Sequence, residues 1–557
     1  MNEGFSIARP PKLRQVNLDE NVYVPMRDGI QVAVDIYRPE KAGRYPVILS
    51  MAPYMKEMQQ HPPKLSHCIE AGATEFFVPK GYIHVIAQVR GSGFSQGRYN
   101  FFDSKEQRDG YDLVEWLSQQ SWCDGNVAML GNSYFAMIQY LVAVQKPPHL
   151  KCIVPYDGMT DLYRNMCYQG GLFRSGFLSG WGTEVLSQCI WPGPVEGKLP
   201  PANFIADVLS RPNDGPYYWT RSAWRKMDRI EVPILNIVVQ HGSQHSMGQL
   251  KSYPMIKAPK KLIILPPTKA GNVLFRHSIP LNEQILRWFD YWLKGIDTGI
   301  MKDPEVAIFD TGTGDWRYEN EYPLKRTKWT KFHLRTLSSQ PATKKPYGYL
   351  ALEAPRKEKP DSYKIPDSID QSTAGQPVLA YLTPPLKEDI RVWGPLSAVL
   401  YGSTTTILDA LWVAKLYDID PDGKVTLLSE GHLKASHKEV DPKKNKPAQP
   451  FHPFRNHVLP ERDRINEYQI EMRPIFHTFK KGHKIAVYLA GDNPAYFASS
   501  RSSLRTVYAY EVMNGRYEST IYHDSTNPSH LLLPLIPDVP KIGRVNPPLS
   551  KIKLGSS

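Results

Sequence analysis

The sequence predicts an α/β fold: a largely parallel sheet with helices on both faces, interrupted by a helical cap and followed by a β-sandwich. Three observations carry this. Strands and helices alternate through the first third of the chain, the pattern a parallel sheet requires. It lapses between residues 160 and 229 into aromatic, Gly-rich sequence without strand signals, then resumes. Beyond Pro304 the texture becomes short alternating strands separated by turn residues, the signature of a sandwich.

Taken in order, Val32 to Tyr37, Pro46 to Met51 and His84 to Gln88 are strands rich in β-branched residues. Asp109 to Leu117 is a helix with Leu113, Val114 and Leu117 on one face. The strand Val127 to Leu130 runs into Gly131-Asn132-Ser133-Tyr134, and the apolar run Met137 to Val144 reads as the next helix. Lys151 to Pro155 is a strand, as are Val232 to Val239 and Leu262 to Leu265 after the gap. Asn282 to Lys294 is a helix whose apolar face holds Ile285, Leu286, Trp288, Phe289 and Leu293. The expected organisation is therefore core residues 1–159, cap 160–229, core 230–304 and sandwich 305–557. Segment 337–377, rich in Lys, Pro, Ser and Asp, reads as an extended, poorly packed connection.

Length and composition set the class. A chain of 557 residues has ample surface to bury and holds more than one domain. The 41% apolar content is ordinary for a globular protein, and 49 prolines favour turns over long helices. The net charge of +13 is dispersed. Its densest stretches, Lys344-Lys345 and Lys443 to Lys446, lie among prolines and read as solvated surface, with no basic helix or RNA-binding motif beside them. No nucleic-acid partner is expected. The five cysteines show no metal spacing and no even disulfide set, no apolar run reaches the roughly 20 residues of a membrane span, and Met1 to Gln15 lacks a signal-peptide core. A cytoplasmic protein without membrane partner, metal or organic cofactor is the expectation.

Strand, sharp turn, serine, helix is the nucleophile elbow of α/β-hydrolases, which lifts a serine hydroxyl above the sheet. Such a serine is a weak nucleophile until a base takes its proton and an acid orients that base.

Other motifs extend the pattern along nearly the whole chain. They are Met26-Arg27-Asp28-Gly29 with Asp35 to Pro39, Arg90-Gly91-Ser92-Gly93, Asp109-Gly110-Tyr111-Asp112 with Trp116 and Trp122, and Arg287 to Gly295. In the sandwich, Leu416-Tyr417-Asp418, Gly431-His432-Leu433 and Gly482-His483-Lys484 continue it. The chain thereby resembles the family of X-Pro dipeptidyl-peptidases, cocaine esterase and α-amino-acid ester hydrolases. The resemblance implies an α/β-hydrolase core, a helical cap and a jelly-roll domain. It also implies Ser133 as nucleophile, the Tyr134 amide as one oxyanion donor and the Tyr54 hydroxyl, in Pro53-Tyr54-Met55-Lys56, as the other. Gln88 stands where the family usually has Asp, and Ala136 where it has Gly.

The acid and base depart from the family's pattern. Gly242, after the strand ending at Val239, occupies the place of the triad Asp, and Lys269, after Leu265-Pro266-Pro267, that of the His. Three routes rebuild the chemistry: Lys269 as base with its pKa lowered by burial, His241 or His245 entering from the replaced acid loop, or His277 folding back. Asp157, at the end of the strand after the elbow helix, is placed to orient a histidine. The expected function is a serine hydrolase or acyl transferase with a non-standard triad, acting on an ester or amide of a small apolar or aromatic molecule. The alternatives are a non-hydrolytic enzyme (cyclisation, isomerisation or elimination) on the same pocket, or a ligand-binding pseudoenzyme. Oligomeric state is left open.

Overall fold

Parallel strands of almost unbroken apolar sequence form the centre of the molecule, as burial on both faces demands. The computed structural model describes residues 13, 15–60, 70–240, 245–267, 278–336, 348–365, 379–491, 517–537 and 549. The first strands are β1 (Val16–Pro25), β2 (Gln31–Pro39), β3 (Tyr45–Ala52), β4 (Ile83–Gln88), β5 (Cys123–Asn132) and β6 (Leu150–Tyr156). The cap contains a two-stranded hairpin, β7 (Tyr168–Gln169) and β8 (Leu172–Phe173), and β9 (Ile234–Val239), β10 (Lys260–Leu265), β11 (Val306–Asp310) and β12 (Asp315–Glu319) follow. They assemble into a ten-stranded sheet in the order β1-β2-β4-β3-β5-β6-β9-β10-β11-β12. The pairs from β4–β3 through β10–β11 are parallel, and the hairpins at both edges antiparallel.

The helices cover both faces. Helix Ser104–Ser118 begins a turn earlier than its apolar periodicity indicates, because Asp103 caps it by accepting from the backbone N–H of Lys105 and Glu106, each at 3.0 Å. The elbow helix Tyr134–Ala143 is buried along its whole length, which explains a run that is apolar all round. Helix Ile279–Lys294 stops at Gly295, whose φ of 68° is a left-handed cap.

Three expectations are corrected, the third in the C-terminal region below. β11 and β12, assigned from sequence to the second domain because they lie beyond Pro304, extend the first sheet. The cap, expected without strands, contains the β7–β8 hairpin beside helices Ser175–Ile190, Phe204–Leu209 and Pro216–Thr220.

The C-terminal region is built mostly of strands. Its long strand Ile390–Thr404 pairs with Asn466–Phe479 on one side and with Tyr517–Tyr522 and His530–Leu535 on the other. Part of segment 337–377, expected to be a poorly packed connection, is strand: Gly348–Ala351 pairs with Lys328–Arg335, and Asp361–Ile365 with Tyr517–Tyr522. Alternate burial of Asp361 and Tyr363 explains both the pairing and why its polar composition masked it.

Candidate active site

Ser133 lies at the end of β5 with φ 57° and ψ −114°, a conformation costly for any non-glycine residue and characteristic of functional turns. The local sequence makes room for it. A Cβ on Gly131 would sit 2.2 Å from Phe135 Cβ, and one on Gly158 would sit 2.5 Å from Ala136 Cβ. The extra methyl of Ala136 is thus accommodated by a glycine on the neighbouring β6 segment. The Ser133 N–H donates to Tyr156 O at 3.1 Å, and its carbonyl accepts from Ala136 and Met137 at 3.0 and 2.9 Å. Its Oγ makes no hydrogen bond among the described residues, and the residue is partly exposed.

Asp157 follows directly. Asn132 and Tyr156 are paired across β5 and β6, so Ser133 and Asp157 are the residues that follow this pair on the two strands. Asp157 is in the left-handed region at φ 48°, and its N–H donates to Ile237 O at 2.7 Å. Its Oδ2 lies 3.2 Å from His245 Nδ1, and its Oδ1 is buried without a hydrogen-bond partner among the described residues. Both side chains are largely buried.

His245 opens helix His245–Ser252, which is pinned on three sides. Gln249 Nε2 donates to Tyr140 Oη of the elbow helix at 3.0 Å and to Pro155 O of β6 at 3.2 Å. Thr160 Oγ1 donates to Gly248 O at 3.0 Å and pairs with Ser252 Oγ at 2.7 Å. Gly248 is required for this fit, since a Cβ there would lie 2.1 Å from Asn165 Oδ1.

Tyr54 follows β3 and is 3% exposed. Its ring packs 6.0 Å from Tyr134 and 5.9 Å from Phe135, the two residues after the serine. Trp181 Nε1, from cap helix Ser175–Ile190, donates to its hydroxyl at 2.9 Å. The Tyr134 side chain points away from the turn: it stacks on Phe102 at 3.9 Å and donates to Glu106 Oε1 at 2.7 Å. Its N–H heads the elbow helix, where no intrahelical partner exists. Glu106, which also accepts from Phe102 N at 2.9 Å, is fully buried, and burial pushes its carboxyl up to about 8. The same burial holds the Tyr134 phenol well above its usual range.

Most motif residues outside this cluster hold the scaffold. Arg90, buried, donates through Nε to Asp109 at 2.6 Å and pairs with Asp28 at 3.0 Å, joining the first hairpin to helix Ser104–Ser118. Gln88 Oε1 accepts from Phe94 N at 3.0 Å, in the loop Gly93 opens.

The structure therefore brings Ser133, Tyr54, Tyr134 and the His245–Asp157 pair to the C-terminal ends of β3, β5 and β6. Lys269, His241, Gly242 and His277 lie outside the described residues. Sequence reasoning missed Glu106, which resembled an ordinary helix glutamate, and did not single out Trp181 from the other aromatics of the cap. Asp103-x-x-Glu106 before an apolar helix was the one available signal for the former.

Comparison with known proteins identifies the family and the fold. Residues 28–268 match the family model for X-Pro dipeptidyl-peptidase, and residues 298–532 match the model for its C-terminal non-catalytic domain. The cocaine esterase of Rhodococcus sp. (strain MB1 Bresler) is 28% identical over 590 residues, covering 93% of this chain and 98% of that one. A CocE/NonD family hydrolase from Staphylococcus aureus superposes with a TM-score of 0.81 at 23% identity, covering 94% of each chain. An α-amino-acid ester hydrolase superposes at 0.72 and 19% identity, covering 95% and 98%; both show the fold. The chain belongs to the X-Pro dipeptidyl-peptidase and cocaine esterase family of α/β-hydrolases, a family of serine hydrolases.

Proposed function

We propose that the protein hydrolyses, or transfers the acyl group of, an ester or amide of a small apolar molecule, with Ser133 as nucleophile, His245 as base and Asp157 as orienting acid. The observation that carries this is the His245 Nδ1–Asp157 Oδ2 contact of 3.2 Å, one residue beyond the strand partner of the elbow. A triad acid engages Nδ1 of its histidine and leaves proton transfer to Nε2. The chain order Ser133, Asp157, His245 is also that of α/β-hydrolases.

In this reading His245 Nε2 takes the Ser133 proton as Oγ attacks the carbonyl carbon, and Asp157 stabilises the imidazolium. The tetrahedral oxyanion is held by the Tyr134 N–H and the Tyr54 hydroxyl, which Trp181 orients by donating to it. Collapse expels the alcohol or amine with the proton from His245, and water or a second acceptor then releases the acyl group by the same path reversed. The aromatic cap beside Tyr54, with Phe177 stacked on Trp181 at 5.6 Å, supports an apolar substrate.

The test is p-nitrophenyl ester hydrolysis and fluorophosphonate labelling by His245→Gln, Asp157→Asn, His241→Gln and Lys269→Ala. The proposal expects losses of about a thousandfold or more for the first two and changes within a few-fold for the others. Loss confined to Lys269→Ala or His241→Gln would transfer the base to that residue and overturn the assignment to His245.

A further inference from the structure

A cavity of about 370 Å³ lies where helix His245–Ser252, the start of the cap and a loop of the strand-rich domain meet. None of Ser133, Tyr54, Asp157 or His245 lines it. Its volume falls in the range that holds a single small ligand. Trp224, Met247, Met255 and Phe451 supply apolar walls.

The charged lining is lopsided. Arg164, Lys251, Lys443, Lys444 and Lys446 face only Asp161 and Glu471. Arg164 is neutralised within the protein by Asp161 at 3.1 Å and Asp214 at 2.9 Å. Lys251 is matched by Glu471 and Lys444 by Asp441, each at 3.1 Å. Lys443 and Lys446 have no ion-pair partner among the described residues. They are the basic stretch that composition alone assigns to solvated surface.

The loop that carries them is built in advance. Asp441 N donates to Phe451 O at 2.9 Å, Gln449 N donates to Lys446 O at 2.9 Å, and Lys443 N donates to Asp441 Oδ1 at 3.0 Å. Phe451 is held between the Arg164 guanidinium, 4.6 Å from its centroid, and the Lys444 ammonium at 4.7 Å. Apolar walls of this size favour a ring, and two unmatched ammonium groups at the mouth favour a negative charge on it.

We infer that this junction cavity is a binding site for a small aromatic anion, a ring bearing a carboxylate or phosphate, separate from the site at Ser133. The test is isothermal titration of the full-length protein with 1-naphthoate and with AMP, using adenosine as the uncharged control. Saturable binding of one or both anions is expected, with adenosine at least about tenfold weaker, and the anion that binds identifies the head group. The exposed-site variant Lys443→Glu/Lys446→Glu should weaken binding by about tenfold or more and leave the melting temperature unchanged, and added salt should weaken it further. Absence of saturable binding by both anions, equal binding of adenosine, or affinity unchanged in the double variant would each overturn the inference.

Discussion

Replacing Gly158 by Ala tests how the elbow and its neighbouring carboxylate are packed together. The new methyl would lie 2.5 Å from Ala136 Cβ, 3.1 Å from Ala136 C and 3.2 Å from Met137 N. Carbon atoms in contact sit about 3.5–4.0 Å apart, so the segments must separate by about 1 Å. Both walls are backbone or a Cβ fixed to it, with no flexible side chain to yield. The cost should reach the upper part of the overpacking range, about 2–3 kcal/mol. Since Gly158 follows Asp157, the shift also moves the carboxylate, and a misplacement of that size costs about a hundredfold in rate. Ala136→Gly alone should cost about 1 kcal/mol, the usual price of glycine in a helix. The double variant removes the 2.5 Å contact but leaves the backbone contacts of 3.1 and 3.2 Å, so it should recover most of the Gly158→Ala loss, a coupling of about 1–2 kcal/mol. Urea unfolding midpoints and fluorophosphonate labelling rates of the four proteins provide the cycle. Strict additivity, or a Gly158→Ala protein unchanged in stability and rate, would refute the packing argument.

Further predictions concern the oxyanion site and the buried titratable groups. Tyr54→Phe should slow fluorophosphonate labelling by about a hundredfold or more, and Trp181→Phe, which removes only the group orienting that hydroxyl, by about tenfold. Glu106 keeps its proton in the folded state to about pH 8 but loses it near 4.5 when unfolded. The folded state therefore binds more protons in this window, and this carboxyl's contribution to stability falls as pH rises from about 4.5 to about 8. Glu106→Gln should flatten that slope in urea titrations at successive pH values. Burial holds His432 and His437 neutral down to about 4. The unfolded state binds the extra protons below 6.5, so their contribution is lost as pH falls from about 6.5 to about 4. His432 Nε2 donates to Gln169 O at 2.9 Å, and Lys434 N to Gly170 O at 2.9 Å. Hydrogen exchange at Lys434, corrected for intrinsic rates, should accelerate first as the pH drops.

Much of the core was legible because its signals are local. Continuous apolar strands such as Val127 to Leu130, the Gly-x-Ser turn and the amphipathic final helix each follow from residue type at short range. The second edge of the first sheet was not: the wholly buried β11 and partly exposed β12 lie beyond Pro304, and only tertiary pairing with β10 decides which sheet they join. At the site, Ser133 and Tyr54 were named from motif positions following strands. The Asp157–His245 contact joins residues 88 apart in sequence, beyond the reach of any short-range signal. Sequence reasoning could name both as candidates but had no way to pair them. Glu106 was hidden because its partner is the side chain of Tyr134, a residue whose backbone drew the attention.

The account rests on Ser133 being an activated nucleophile. Intact-mass analysis of the protein after reaction with a fluorophosphonate, beside Ser133→Ala, tests this most directly. One stoichiometric adduct, absent from Ser133→Ala and slowed by about a thousandfold or more in His245→Gln, is the predicted result. A folded protein that acquires no adduct, or acquires one that persists in Ser133→Ala, would contradict it.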